Sequence, residues 1–148
     1  MYKNILVAID DSATSRSALA EALHIARTSK AKLYIAHVVD ETLMNMQGRT
    51  FTSSLNIEHA ITVLTGAGQQ LLAEVIKSVD GVDAEALLLE ARSRRVSEVL
   101  DEKARELNID LIVVGRHGKR GLARLILGSV AEQLAKMSAA SVLLVRKH

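Results

Sequence analysis

The chain predicts an α/β fold, a doubly wound five-stranded parallel sheet with helices on both faces. Short continuous apolar runs alternate along its whole length with segments whose apolar residues recur at helical spacing, the pattern of buried parallel strands joined by crossover helices. Hydrophobic residues make up 49% of the chain but include only one Phe, two Tyr and no Trp, so the core has to be built from Leu, Val, Ile and Ala. No internal repeat, low-complexity tract or proline interrupts the alternation, and residues 1–148 are therefore expected to form one domain. A chain of this length buries about two-thirds of its unfolded surface without a disulfide or metal staple.

The first strand is expected at residues 4–9 (NILVAI), an unbroken apolar run that stops at Asp10. Asp11, Ser12 and Thr14 each suit a helix cap, and a helix over 15–29 follows with Leu19, Ala22, Leu23 and Ala26 as its buried stripe. The second strand is 32–39 (KLYIAHVV). An irregular stretch at 40–56 contains Met44, Met46 and Gly48, and loops of that length in compact domains are lids, binding loops or connectors. The second helix is expected over 56–79, with Ile57, Ala60, Ile61, Leu64, Leu71, Leu72, Val75 and Val79 along one side, Gly66 and Gly68 weakening its middle, and Gly81 as its stop. A third strand at 84–89, a third helix at 96–107, a fourth strand at 110–114, a last helix ending near residue 137 and a fifth strand at 141–145 (SVLLV) complete the series.

The fourth strand runs into GRHGKRGLARLILGS, residues 115–129, which carries glycines at 115, 118, 121 and 128, the cations Arg116, Lys119, Arg120 and Arg124, and no carboxylate. Glycines let backbone N–H groups approach a polyanion, and a helix N-terminus adds unpaired donors and a partial positive charge. The stretch reads as a phosphate-binding loop. It contains neither GxxxxGK[ST] nor GxGxxG; the spacing present is G-x2-G-x9-G-S, formed by Gly115, Gly118, Gly128 and Ser129. A plain strand-to-helix turn with a packing glycine at 128 is the alternative reading of the same residues.

That spacing resembles the ATP-binding signature of the universal stress protein family, and the resemblance extends to ILVAIDDS, the second strand ending HVV, DLIVVG, the GSV helix and the closing SVLLV. It implies a Rossmann-like ATP-binding domain with strand order 3-2-1-4-5, usually a homodimer. Carried over by position, Asp10 matches the family aspartate near ribose and adenine, Val38 the strand-two residue whose backbone meets adenine, and Gly115, Gly118, Gly128 and Ser129 the ribose and phosphate positions. Ile9 lies in the turn that flanks the base, and Arg116, His117 and Val130 complete the candidate set. ATP with Mg²⁺ is the implied ligand. Two departures are Ser141, where the family often has proline, and Arg94 and Arg95, in a turn where glycine and proline are common.

In a doubly wound sheet the ligand lies beyond the carboxyl ends of the strands where their order reverses, which for 3-2-1-4-5 is between strands one and four. Asp10 and Gly115 end those strands, so an acceptor for ribose hydroxyls would face a basic glycine-rich loop. Asp10 as a helix cap is the competing role. His37 reads as a core or strand-end histidine, and His24, His59 and His148 have no partner at zinc-ligand spacing. Glu90 and Arg92 are expected at the sheet edge, away from the crevice.

A formal charge of +2 gives no support for a nucleic-acid partner, and the apolar run at 5–9 is too short for a signal peptide or a membrane span, so a cytoplasmic location is expected. The function expected is that of a nucleotide-dependent regulatory or stress-response protein, dimeric through its carboxyl-terminal strand. The alternatives are a slow ATPase or autophosphorylating protein, with Ser129 or His117 as acceptor, and a dimerisation module without nucleotide.

Overall fold

The computed structural model describes residues 1–41, 54–117 and 127–147. Strands β1 (Asn4–Ala8), β2 (Lys32–Val39), β3 (Ala84–Glu90), β4 (Leu111–Gly115) and β5 (Ser141–Val145) alternate with helices α1 (Ala13–Ser29), α2 (Ser54–Ser78), α3 (Val96–Glu106) and α4 (Ser129–Met137). The strands form one sheet in the order β3-β2-β1-β4-β5, every pairing parallel. Class and strand order are those expected.

Each central strand is buried on both faces, which is why its sequence is continuously apolar rather than alternating. Ile5 and Val7 face a cluster with Ala18, Ala22 and Ala26 of α1 and Leu72 of α2, whereas Leu6 faces Leu100 and Ala104 of α3 and Leu134 of α4. The stripe of α1 differs from the one read from sequence. Its most deeply buried residues are the alanines at 18, 22 and 26, and Leu19 and Leu23 lie at its flanks. Small residues at i, i+4, i+8 bring the helix axis close to the sheet, and the leucines fill the gaps on either side. On α2, Ile57 does not belong to the buried stripe: it is 37% exposed, on the helix's first described turn of side chains.

Element ends are set by local hydrogen bonds. Ser12 is the N-cap of α1, its Oγ accepting from Ser15 N–H at 3.1 Å, and Lys30 closes the helix in the left-handed region at φ 55°. Asp110 ties the start of β4 to the start of β1, its carboxylate accepting from the N–H groups of Lys3 (2.9 Å) and Asn4 (3.2 Å). Ser141 donates its own N–H to the Asp110 carbonyl at 3.2 Å, a bond that proline at this position could not make. Beyond β3 at the sheet edge, Arg92 pairs with Glu90 at 2.7 Å and reaches Glu58 of α2 at 3.0 Å. No described helix is long and apolar enough to cross a membrane.

Candidate functional site

The sheet's strand order reverses between β1 and β4, and a crevice opens there at their carboxyl ends. Its first wall is the turn from β1 into α1. Asp10 is held twice in that turn: its N–H donates to Ser15 Oγ at 2.8 Å, and its Oδ1 accepts from Ser12 N–H, also at 2.8 Å. The N-cap of α1 is Ser12 rather than Asp10, and the bond from the Ser12 N–H fixes the direction in which the Asp10 carboxyl group is presented. Asp11 and, from the end of β2, the buried Asp40 add acidic character to this side.

The opposite wall begins at Gly115. Arg116 N–H continues the pairing with β5 by donating to the Val145 carbonyl at 2.9 Å, and the Arg116 carbonyl accepts from Gly128 N–H at 2.7 Å. This second bond joins the end of β4 to the start of α4. Gly128 is the extended N-cap of α4 (φ −62°, ψ 151°) and supplies no side-chain cap, so the first-turn N–H groups of α4, from Ser129 and Val130 onward, have neither an intrahelical partner nor a side-chain one from the cap residue. Arg116 and His117 are half-buried beside them. Among the described residues the crevice thus has carboxylates at the ends of β1 and β2, and a helix N-terminus with a guanidinium at the end of β4.

The glycines have identifiable steric reasons. A Cβ at Gly115 would stand 2.5 Å from Thr14 Cγ2, so this glycine admits α1 against the end of β4. A Cβ at Gly128 would stand 2.8 Å from the Arg116 carbonyl oxygen, so this one permits the bond just described. Both glycines thus serve the protein's own packing, which for Gly128 is the alternative reading of the sequence.

Nine of the ten candidate residues line this one cavity of about 250 Å³: Ile9, Asp10 and Val38 on one side, Gly115, Arg116 and His117 with Gly128, Ser129 and Val130 on the other. The tenth, Gly118, lies outside the described residues, as do Lys119, Arg120, Gly121, Arg124, Met44, Met46, Gly48 and His148. Sequence reasoning missed the floor and the apolar end, where Leu64, Gly68 and Leu71 of α2 and Val96 and Leu100 of α3 meet the cavity. The helical spacing of 64, 68 and 71 put them on one face; nothing local said that this face reaches the crevice. His37 is at the strand end as read, but it also lines the cavity, its Nδ1 bonded to the Ile9 carbonyl at 2.9 Å. Glu90 and Arg92 lie outside the cavity lining, as expected. No group of three or more His, Cys, Asp or Glu side chains suited to a metal ion occurs among the described residues.

Comparison with known proteins agrees with this architecture. The model of the universal stress protein family matches residues 1–146. Universal stress protein YxiE of Bacillus subtilis is 34% identical over 151 residues, covering 99% of this chain and all of the relative. Among solved structures, universal stress protein UspA from Lactobacillus plantarum superimposes with a TM-score of 0.77 at 23% identity, covering 98% of both chains, a likeness of fold. A universal stress protein solved in complex with cAMP has a TM-score of 0.68 at 27% identity, covering 99% of this chain and 98% of its own. With the family model and a 34% identical relative both spanning nearly the whole chain, this protein belongs to the universal stress protein family.

Proposed function

We propose that this protein binds ATP in the crevice between β1 and β4 and acts as a nucleotide-dependent regulatory protein. The observation that carries the reading is the polarity of the crevice: an acceptor carboxylate at Asp10 faces a helix N-terminus and Arg116 across an apolar interior. A nucleotide has the matching sequence of groups. Its ribose hydroxyls donate to Asp10, its base lies against Val38 and Ile9, and its phosphates lie over residues 115–118 and on the N–H groups of Ser129 and Val130. A 250 Å³ cavity with an apolar end suits the base and sugar, with the phosphates extending over the loop. The cAMP complex of the relative supports an adenine nucleotide as the ligand class. Mg²⁺ would arrive with the phosphates, the usual arrangement where, as among the described residues, there is no cluster of carboxylates to cage it.

Mass spectrometry of the small molecules released by acid from the purified protein tests this directly. ATP is the expected species. Release of no nucleotide, together with an ATP dissociation constant weaker than about 1 mM by calorimetry, would reject the reading.

A further inference from the structure

The hydrogen-bond ladder between β1 and β2 stops at the crevice, and a side chain stops it. The register of the pair runs to Ala8↔Ala36, and Ile9 N–H donates to the Ala36 carbonyl at 2.8 Å. In a parallel ladder the next rung would join Val38 N–H to the Ile9 carbonyl. That carbonyl accepts instead from His37 Nδ1 at 2.9 Å, and since a carbonyl only accepts, Nδ1 carries the proton. Backbone groups of β2 alternate in direction: Leu33 N–H and the Val39 carbonyl bond on the β3 side, to Asp83 and Ala91, and the Ala36 carbonyl bonds on the β1 side. Val38, two residues after Ala36, therefore turns its N–H and C=O toward β1 at the level where β1 has ended and the cavity begins.

The ring is held in this pose from the other side. Gly68 of α2 packs so closely that a Cβ there would stand 2.7 Å from His37 Cδ2 and 2.9 Å from Leu88 Cδ1. A glycine in the middle of a 25-residue helix costs stability, and here it makes room for the imidazole.

We infer that His37 is a positioning residue for base selection: by taking the Ile9 carbonyl it keeps β1 from pairing with Val38, and it leaves the Val38 peptide to read the edge of the base. An N–H beside a C=O complements a purine edge that offers a ring acceptor next to an amino donor, as adenine does. The guanine edge presents the reverse pair. The inference rests on the nucleotide reading above.

The test compares His37→Asn, whose amide nitrogen can stand where Nδ1 stands, with His37→Leu, which cannot donate. Calorimetry with ATP and with GTP, and amide hydrogen exchange at Val38 by NMR without nucleotide, are the readouts. His37→Leu is expected to lose about tenfold in ATP affinity and a similar factor in ATP over GTP preference, while His37→Asn stays within about threefold of wild type. Val38 exchange should slow in His37→Leu as its N–H pairs with Ile9. If circular dichroism shows that Leu disturbs the fold, His37→Met, an unbranched side chain that likewise has no donor, replaces it. Unchanged affinity and unchanged base preference in the non-donating variant overturn the inference while the nucleotide reading stands. A wild type that binds no nucleotide refutes that reading and the base-selecting role with it, and Val38 exchange still decides whether His37 ends the ladder.

Discussion

Asp10 combines an observed structural bond with a proposed ligand contact. One carboxylate oxygen caps the turn through Ser12, so replacing the residue with alanine removes a structural bond as well as the acceptor proposed for ribose. Asp10→Asn separates the two, because the amide oxygen can still accept from Ser12. The expected result is a loss on the order of 1–3 kcal/mol in ATP binding for Asp10→Ala, and wild-type protein that binds the 2′,3′-dideoxy analogue more weakly than ATP, both read by calorimetry. Equal affinity for the two nucleotides would remove ribose from the role of Asp10. At Gly115 the geometry predicts an effect on stability: an alanine Cβ 2.5 Å from Thr14 Cγ2 should cost about 1–3 kcal/mol in urea unfolding. Adding Thr14→Ser, which deletes that methyl, should recover part of the loss, and a strictly additive double variant would show that the contact is not the cause.

At the scale of elements, the 115–129 segment bears on the site and β5 on assembly. Since Gly128 N–H bonds the Arg116 carbonyl and a Cβ at 128 would press on that same oxygen, Gly128→Val should open the neck of the loop and abolish measurable ATP binding with circular dichroism unchanged. Gly118→Val tests the loop itself and is expected to do the same. Retained affinity in both variants would detach the nucleotide from this loop. Strand β5 is the outer strand of the sheet beside β4, and its SVLLV sequence carries neither charge nor proline on the side left for pairing. Such an edge invites an antiparallel partner, and a second copy of the chain satisfies it with twofold symmetry. Light scattering is expected to give twice the 16.0 kDa chain mass at micromolar concentration, and a monomer there would mean that the edge is protected in another way.

For the molecule as a whole, the question is binding against turnover. In the proposed complex the cations and N–H groups of the β4 side would stabilise phosphates in the ground state, and uniform stabilisation of that kind does not speed cleavage. Acceleration needs a group aligned with the attacking water or acceptor. Among the described residues, the carboxylates that line the cavity, Asp10, Asp11 and Asp40, belong to the ends of β1 and β2 and not to the end of β4. ATP should therefore co-purify intact, and with Mg²⁺ the protein should hydrolyse it more slowly than about one turnover per minute, far below the ~1–10³ s⁻¹ of typical enzymes. A steady-state rate near ~1 s⁻¹ that vanishes in Gly118→Val would replace the regulatory reading with an ATPase.

Local chemistry made the elements legible from the sequence. Uninterrupted apolar runs such as NILVA and LIVV have only one stable use in a chain this rich in amphipathic helices, and the glycine spacing from 115 to 128 marks a strand-to-helix loop whatever its ligand. Strand order entered through resemblance to a family, because right-handed crossovers leave several orders open and no local pattern chooses among them. Only the folded chain could assign the reasons for particular residues. Gly115 is opposite Thr14, Gly68 is opposite His37, and the Ile9 carbonyl meets an imidazole rather than the next backbone N–H. These are contacts between residues 28 to 101 positions apart, and their distances depend on how closely α1 and α2 pack against the sheet, which periodicity does not encode.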